Sequence, residues 1–258
     1  MSEAAIAVPA ATILMLRNGP TGLEVFMVVR HHQIDFASGA LVFPGGKVDK
    51  GDSEIRSFCD GANTADDTQL SLMVGAVREA FEECGILLAR TTGETNLVSG
   101  DRLNSLEHYR DPLNKNEVTI AEFLAKENLT LACDLLQPFA HWITPDMMPK
   151  RFDTYFYLAL APGDHVAIHD GYESVDSIWI SPANALKGAE EGTYTIIFPT
   201  RLNIEMLGES DSVDNALAAA RDRTIVPVTP WTEKRDDGVY LCIPEDAGYQ
   251  ASSAKMET

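Results

Sequence analysis

Basic residues are scarce: 20 Lys and Arg stand against 39 Asp and Glu in 258 residues, a formal net charge of −19. Such a surface repels phosphate backbones and anionic headgroups unless the charge is locally reversed, so neither nucleic acid nor membrane is an expected partner. Long apolar runs are missing too, and none approaches the roughly 18 residues that would span a bilayer. Residues 1–11 lack the basic start of a secretory signal, and Met256-Glu257-Thr258 is not a peroxisomal address. Only four cysteines occur, Cys59, Cys84, Cys133 and Cys242, without CxxC spacing. They read as free thiols in a reducing compartment, which excludes a zinc ribbon or a disulfide frame. Together these absences predict a cytoplasmic protein.

What is present is ordinary for a globular chain: 45% apolar and 23% charged residues. The length suits one large domain, with no repeat and no dividing linker, so residues 1–258 are expected to form a single unit. Residues 10–16 and 25–29 are short apolar runs around Asn18-Gly19-Pro20 and Gly22, two strands and a turn. Residues 40–43 predict a third strand, stopped by Pro44-Gly45-Gly46. Residues 51–67 are polar and read as a loop with at most a short helix. Residues 70–84 predict the clearest helix, with Val74, Val77 and Phe81 on one stripe, a cap at Asp66, Asp67 or Thr68, and Gly85 at its end. Residues 100–131 look helical again. Strands are expected at 139–143, 154–161, 177–180, 224–228 and 239–243, helices at 202–207 and 213–221, and a frayed final dozen residues. Strands and helices mix without strict alternation, which argues for a layered α/β or α+β domain.

The chemistry concentrates in Arg78-Glu79-Ala80-Phe81-Glu82-Glu83-Cys84-Gly85. Glu79, Glu82 and Glu83 share one helix face at i, i+3 and i+4. A solvated helix could look the same, with Arg78 pairing to Glu82. The context decides otherwise. A strand ending in Phe43-Pro44-Gly45-Gly46 precedes the helix and Gly85-Ile86 follows it, and glycines let a backbone approach a metal or phosphate closely. Three like charges on one face call for a counter-charge, and hard divalent cations such as Mg²⁺ or Mn²⁺ prefer carboxylate oxygen.

Here the chain resembles the Nudix family, whose signature is Gly, five residues, Glu, seven residues, then Arg-Glu-aliphatic-any-Glu-Glu-any-Gly-aliphatic. Gly46 opens it and residues 78–86 close it. Two departures stand out: Asp52 replaces the first Glu, outside the glutamate cluster, and about 18 extra residues separate it from Arg78. The interrupted signature is similar to the subgroup of coenzyme A diphosphatases related to Nudix hydrolase 19. So are Arg30, residues 36–46, Asp49, Trp142-Ile143-Thr144-Pro145, residues 151–156, Glu173, Trp179 and Phe198-Pro199-Thr200. The similarity covers a core of about residues 8–207, with an insertion at about 53–69 and a C-terminal extension at 208–258.

The resemblance implies a mixed sheet sandwiched between helices, with helical insertions. It implies that Glu79, Glu82 and Glu83 ligate two or more Mg²⁺ or Mn²⁺ ions, with a Gly45 or Gly46 carbonyl assisting, and that water then attacks a diphosphate phosphorus. Glu79, Glu83, Glu173 and Arg78 are the candidate catalytic residues, Arg78 as an organiser of the glutamates and Glu173 as base or further ligand. Arg30 and Arg151 are candidates to bind substrate phosphate; Arg151 could instead pair with Asp153. Trp142 and Phe139 could stack on adenine, but core packing is the simpler reading. His31-His32, His141, His165 and His169 suggest no ligand set. Expected substrates are coenzyme A or its acyl forms, then ADP-ribose, a dinucleotide or a nucleoside triphosphate, with a non-catalytic binding module as the contrasting class. The oligomeric state is open, a homodimer included. The insertion is expected to loop out without moving the Gly45-Gly46 turn, and its removal to leave the fold standing.

Overall fold

In the run Ile13-Leu14-Met15-Leu16 every side chain is buried, which a strand achieves only when both faces of its sheet are covered. Ala11, Ile13 and Met15 enter one core, Leu14 and Leu16 the other. The computed structural model in which this is seen describes residues 5–30, 39–165 and 174–256, with backbone alone at positions 30, 174 and 175. Strand β1 (Val8–Gly19) turns into β2 (Gly22–Arg30), and β3 (Leu41–Val42) and β4 (Gly45–Lys47) follow. Helix α1 spans Asp67–Cys84 and leads into β5 (Ala89–Thr91). Three helices come next: α2 (Gly100–Leu106), α3 (Arg110–Asn114) and α4 (Ile120–Glu127). Then come β6 (Leu129–Leu131), β7 (Gln137–Ile143), β8 (Phe152–Leu160) and β9 (Ser174–Ile180). The last part holds α5 (Pro182–Glu190), α6 (Phe198–Leu207), α7 (Val213–Asp222), β10 (Trp231–Arg235), β11 (Gly238–Cys242) and β12 (Ser253–Lys255).

The main sheet runs β3-β2-β1-β8-β7, with β4 also on β1 and β9 on β2. It is mixed, because β1 and β8 pair in parallel from Val8↔Phe152 to Leu16↔Leu160 while the other pairs are antiparallel. Helix α1 covers one face, and residues of α6 and α7 pack into the core on the other. This is the mixed sheet between helices that the sequence predicts. Among the described residues no helix is long and apolar enough to cross a membrane.

Four segments depart from the sequence reading. Between β4 and α1 the chain is not a loose loop. It forms two 3₁₀ turns, Lys50–Ser53 and Arg56–Phe58, and buries Ile55, Cys59 and Ala62 in the α1 core. Its polar groups are satisfied internally: Arg56 Nη1 donates to the carbonyls of Ala62 and Ala65, and Asp60 N to Leu131 O at 2.9 Å. Second, the helical stretch ends at Asn128, in the left-handed region (φ 54), and residues 129–131 form β6 against β5. Third, residues 224–228 are not a strand. Val228 alone bridges β7, through Val228 N to His141 O and Ile143 N to Val228 O. Fourth, residues 247–256 are tied down rather than frayed. β12 pairs with β11, and the Tyr249 hydroxyl accepts from Trp142 Nε1 at 2.7 Å and donates to Asn203 Oδ1 at 2.8 Å. Trp142 and Phe139 are both core residues.

Because Ile55 is 1% exposed, Ile55→Ala should cost about 2–5 kcal/mol, and deletion of residues 54–69 should unfold the protein, contrary to the looped-out expectation. Urea unfolding of the two variants checks this; a deletion variant with near-normal cooperativity would show that the segment is dispensable.

Candidate active site

The capping box of Asp66 and Gln69 starts α1, and Gly85 at φ 68 stops it. Within those limits the helix turns Arg78, Glu82 and Glu83 toward the protein, and all three are buried. Arg78 is the centre of the arrangement. Its Nε and Nη2 donate to the two oxygens of Asp52, both at 3.2 Å, in the fork geometry that suits a carboxylate. Its Nη1 donates to Glu79 Oε1 at 3.1 Å and Glu82 Oε2 at 3.0 Å, and Nη2 also to Lys47 O at 2.8 Å. Asp49 stands 3.8 Å away. Asp52, fully buried, further accepts from Asp49 N at 2.8 Å. It therefore belongs to the cluster from which the sequence reading left it out: it is the carboxylate that Arg78 grips with two nitrogens.

The glycine turn closes on the same helix. Gly45 N donates to Glu83 Oε2 at 2.9 Å. A Cβ at Gly46 would lie 2.4 Å from Glu79 Oε1, so the carboxylate occupies space that only glycine leaves. Gly45 (φ 156) would place a Cβ 2.5 Å from Ala11 O, which fixes that position as glycine too. The 25 residues between Asp52 and Arg78 thus separate two ends of one site without pulling them apart.

One cation shared among so many carboxylates leaves the site negative. Burial pushes the Glu82 carboxyl up to about 7 against the opposing pull of Arg78, and burial likewise raises Asp52. Burial works against the charge of Arg78, but Glu79, Asp52 and Glu82 outweigh it and hold its proton more firmly than usual. Glu82 Oε1 is buried with no hydrogen-bond partner. A buried carboxylate oxygen facing nothing is costly unless a cation meets it, so the donor set fits a hard divalent ion. No three His, Cys, Asp or Glu side chains among the described residues already form a closed coordinating cluster. Arg78 and the Gly45 amide hold the carboxylates in the meantime.

The other residues singled out lie elsewhere. Arg151 is a brace: Nε donates to Thr144 O at 2.9 Å, Nη1 to Ala5 O at 2.7 Å, and Nη2 pairs with Asp146 at 2.6 Å. Asp153 pairs with His141 instead. His165 Nε2 donates to the Val98 carbonyl at 2.8 Å, a structural role. The side chain of Arg30, and all of His31, His32, His169 and Glu173, lie outside the described residues. Sequence reasoning missed Arg110, whose Nε donates to Glu82 O at 3.2 Å from the first residue of α3. No local pattern marks it, since its role depends on tertiary packing alone.

The NUDT19 Nudix domain family matches residues 55–205, more than half the chain. The chain belongs to the Nudix family. The matched span begins beyond Gly46 and Asp52, which the geometry nonetheless joins to the helix. A Nudix hydrolase structure from Alicyclobacillus acidocaldarius superposes with a TM-score of 0.70 at 26% identity, over 83% of this chain and 96% of that one. The acyl-coenzyme A diphosphatase NUDT19 of Xenopus laevis is 22% identical over 90% of this chain and 73% of its own length. The Gallus gallus protein of the same name is 23% identical over 90% and 74%. The chain is accordingly a hydrolase of diphosphate linkages, of a family that acts on small nucleotide-derived substrates and generally uses divalent metals.

The raised Glu82 carboxyl has a stability consequence. Lifted from 4.5 to about 7, the group favours the fold when protonated, so its contribution is full below about pH 4.5 and fades as the pH rises through about 7. In chelator, Glu82→Gln should therefore match the wild type near pH 4.5 and melt higher than it at pH 8. Thermal unfolding across that range tests it; a difference between the two proteins that ignores pH would contradict the assignment.

Proposed function

We propose that the chain cuts the diphosphate of coenzyme A or acyl-coenzyme A, using Mg²⁺ or Mn²⁺ held by Glu79, Glu82 and Glu83 with a Gly45 or Gly46 carbonyl assisting. The observation that carries the metal assignment is the buried, unpartnered Glu82 Oε1 in a site whose carboxylates outnumber its one arginine. The subgroup of the family, and the names of the frog and chicken relatives, support the substrate. The products are adenosine 3′,5′-bisphosphate and a phosphopantetheine compound.

Each residue has a distinct task. Arg78 spends its donors on Asp52, Glu79, Glu82 and the Lys47 carbonyl, so it orients carboxylates rather than binding substrate. Gly45 N fixes Glu83, and the bare Gly46 makes room for Glu79. A divalent cation, when bound, offsets the diphosphate charge and makes a water more acidic. Glu173 is assigned as base or further ligand. Because the Arg151 guanidinium is committed to Thr144, Ala5 and Asp146, Arg30 is the better candidate for the 3′-phosphate.

Glu83→Gln keeps the side-chain shape and should lower kcat by about 10²-fold or more at saturating Mg²⁺, the scale of losing one major electrostatic contact in a transition state. Near-normal turnover would remove Glu83 from the machinery.

Substrate choice is tested separately. Coenzyme A should exceed its 3′-dephospho form in kcat/KM, and Arg30→Ala should narrow the gap. Equal rates on both in the wild type would argue against 3′-phosphate recognition, and faster cleavage of ADP-ribose would replace coenzyme A as the substrate.

A further inference from the structure

A helix end rich in carboxylates is electrostatically awkward. The backbone dipole places partial negative charge at the C-terminus of α1, where the sequence adds Glu79, Glu82 and Glu83 and no basic residue in the last turn. The glycine cap answers for part of the backbone: Gly85 N donates to Phe81 O at 2.9 Å and Ile86 N to Ala80 O at 3.2 Å. The next carbonyl in line is that of Glu82, and Arg110 Nε takes it at 3.2 Å. The guanidinium lies so close beneath the cap that a Cβ at Gly85 would stand 3.2 Å from Arg110 Nη1. Only 13% of the Arg110 side chain is exposed, with Glu107 at 3.7 Å. Phe81 of α1 stacks on Phe123 of α4 at 5.5 Å, and Tyr109, the residue before Arg110, packs on the same Phe123 at 4.9 Å. The α2–α4 segment thus brings to the acidic helix the cation that its own last turn lacks.

We propose that Arg110 is a positioning residue for this turn: by holding the Glu82 carbonyl, it fixes the side chains of Glu82 and Glu83 where they capture a divalent cation. The proposal rests on the reading of these glutamates as metal ligands. A mere brace and a positioning residue differ in one observable. Loss of a brace lowers thermal stability and leaves the metal affinity of the folded protein alone. Loss of a positioning residue weakens metal binding in protein that is still folded.

The test is Mn²⁺ binding to the full-length protein without substrate, by titration calorimetry, in the wild type, Arg110→Met, Arg110→Lys and Glu82→Gln. Arg110→Met keeps much of the stem and removes the charge, and should weaken Mn²⁺ about tenfold, within the reach of a partly buried cation at a helix C-terminus. Arg110→Lys should recover part of that loss. At saturating metal, KM for substrate should stay unchanged while the Mg²⁺ concentration for half-maximal rate rises. Wild-type Mn²⁺ affinity in folded Arg110→Met overturns the proposal, whatever happens to Tm. Should that variant not fold, Arg110→Leu, which likewise leaves the Glu82 carbonyl without a donor, is read in its place by the same criterion. Wild-type protein that binds no Mn²⁺ overturns the metal assignment and this proposal with it. Wild-type binding that is lost in Glu82→Gln but intact in the Arg110 variants overturns this proposal alone.

Discussion

Four carboxylates converge on the single buried guanidinium of Arg78, Asp49 from the exposed side, and the site depends on that imbalance. Arg78 alone cannot neutralise them. It can hold them in place, because its planar donors point in several directions at once. Asp52 receives the fork, Glu79 and Glu82 receive one nitrogen between them, and the Lys47 carbonyl ties the group to β4. A buried network of this kind is a poor source of net stability, since desolvation offsets much of the attraction. Its value lies in organisation: charge is collected where water is excluded, and kept there by backbone contacts with Gly45 and Gly46.

The sheet makes the arrangement rigid. β4 is hydrogen-bonded to β1 through Ala11↔Gly46 and Thr12↔Gly45, and β1 is flanked by β2 and β8. The glycine turn therefore rides on the central strand of the sheet, while α1 packs its apolar stripe, Val74, Val77 and Phe81, into the core above the same strand. The distance between turn and helix is set by core packing, which explains how a segment as long as residues 53–77 can intervene without loosening the site.

Most of this framework was legible in the residues. β1 could be read because four consecutive apolar side chains require a sheet covered on both faces, and α1 because its stripe, its cap and its terminal glycine agree. Other parts were hidden for identifiable reasons. Ile55, Cys59 and Ala62 are spaced among polar residues, so their burial gives no run and no clean period. Leu129-Thr130-Leu131 continues the apolar spacing of α4, and only the left-handed Asn128 breaks it. Residues 247–256 look dispensable in sequence because Tyr249, which clasps them to the core, has its partners Trp142 and Asn203 far away in the chain. At the site, the glutamates announced themselves by spacing. Asp52 read as a departure from a pattern, although in space it is the carboxylate that Arg78 meets with two nitrogens, and Arg110 gave no signal because its contact with Glu82 exists only once the helices are packed.

The parallel pairing of β1 with β8 bears on how the chain is made. As it leaves the ribosome, Val8–Gly19 can at first join only its hairpin partner β2 and then β4, leaving one edge of a largely apolar strand open. That edge stays open until Phe152–Leu160 has been synthesised, and the clasp of Tyr249 on Trp142 and Asn203 forms later still. A topology dominated by such distant contacts folds slowly and exposes strand edges while it waits. Until then the newborn chain carries an apolar strand edge open to wrong partners, a hazard set by the order of synthesis and not by the stability of the finished fold.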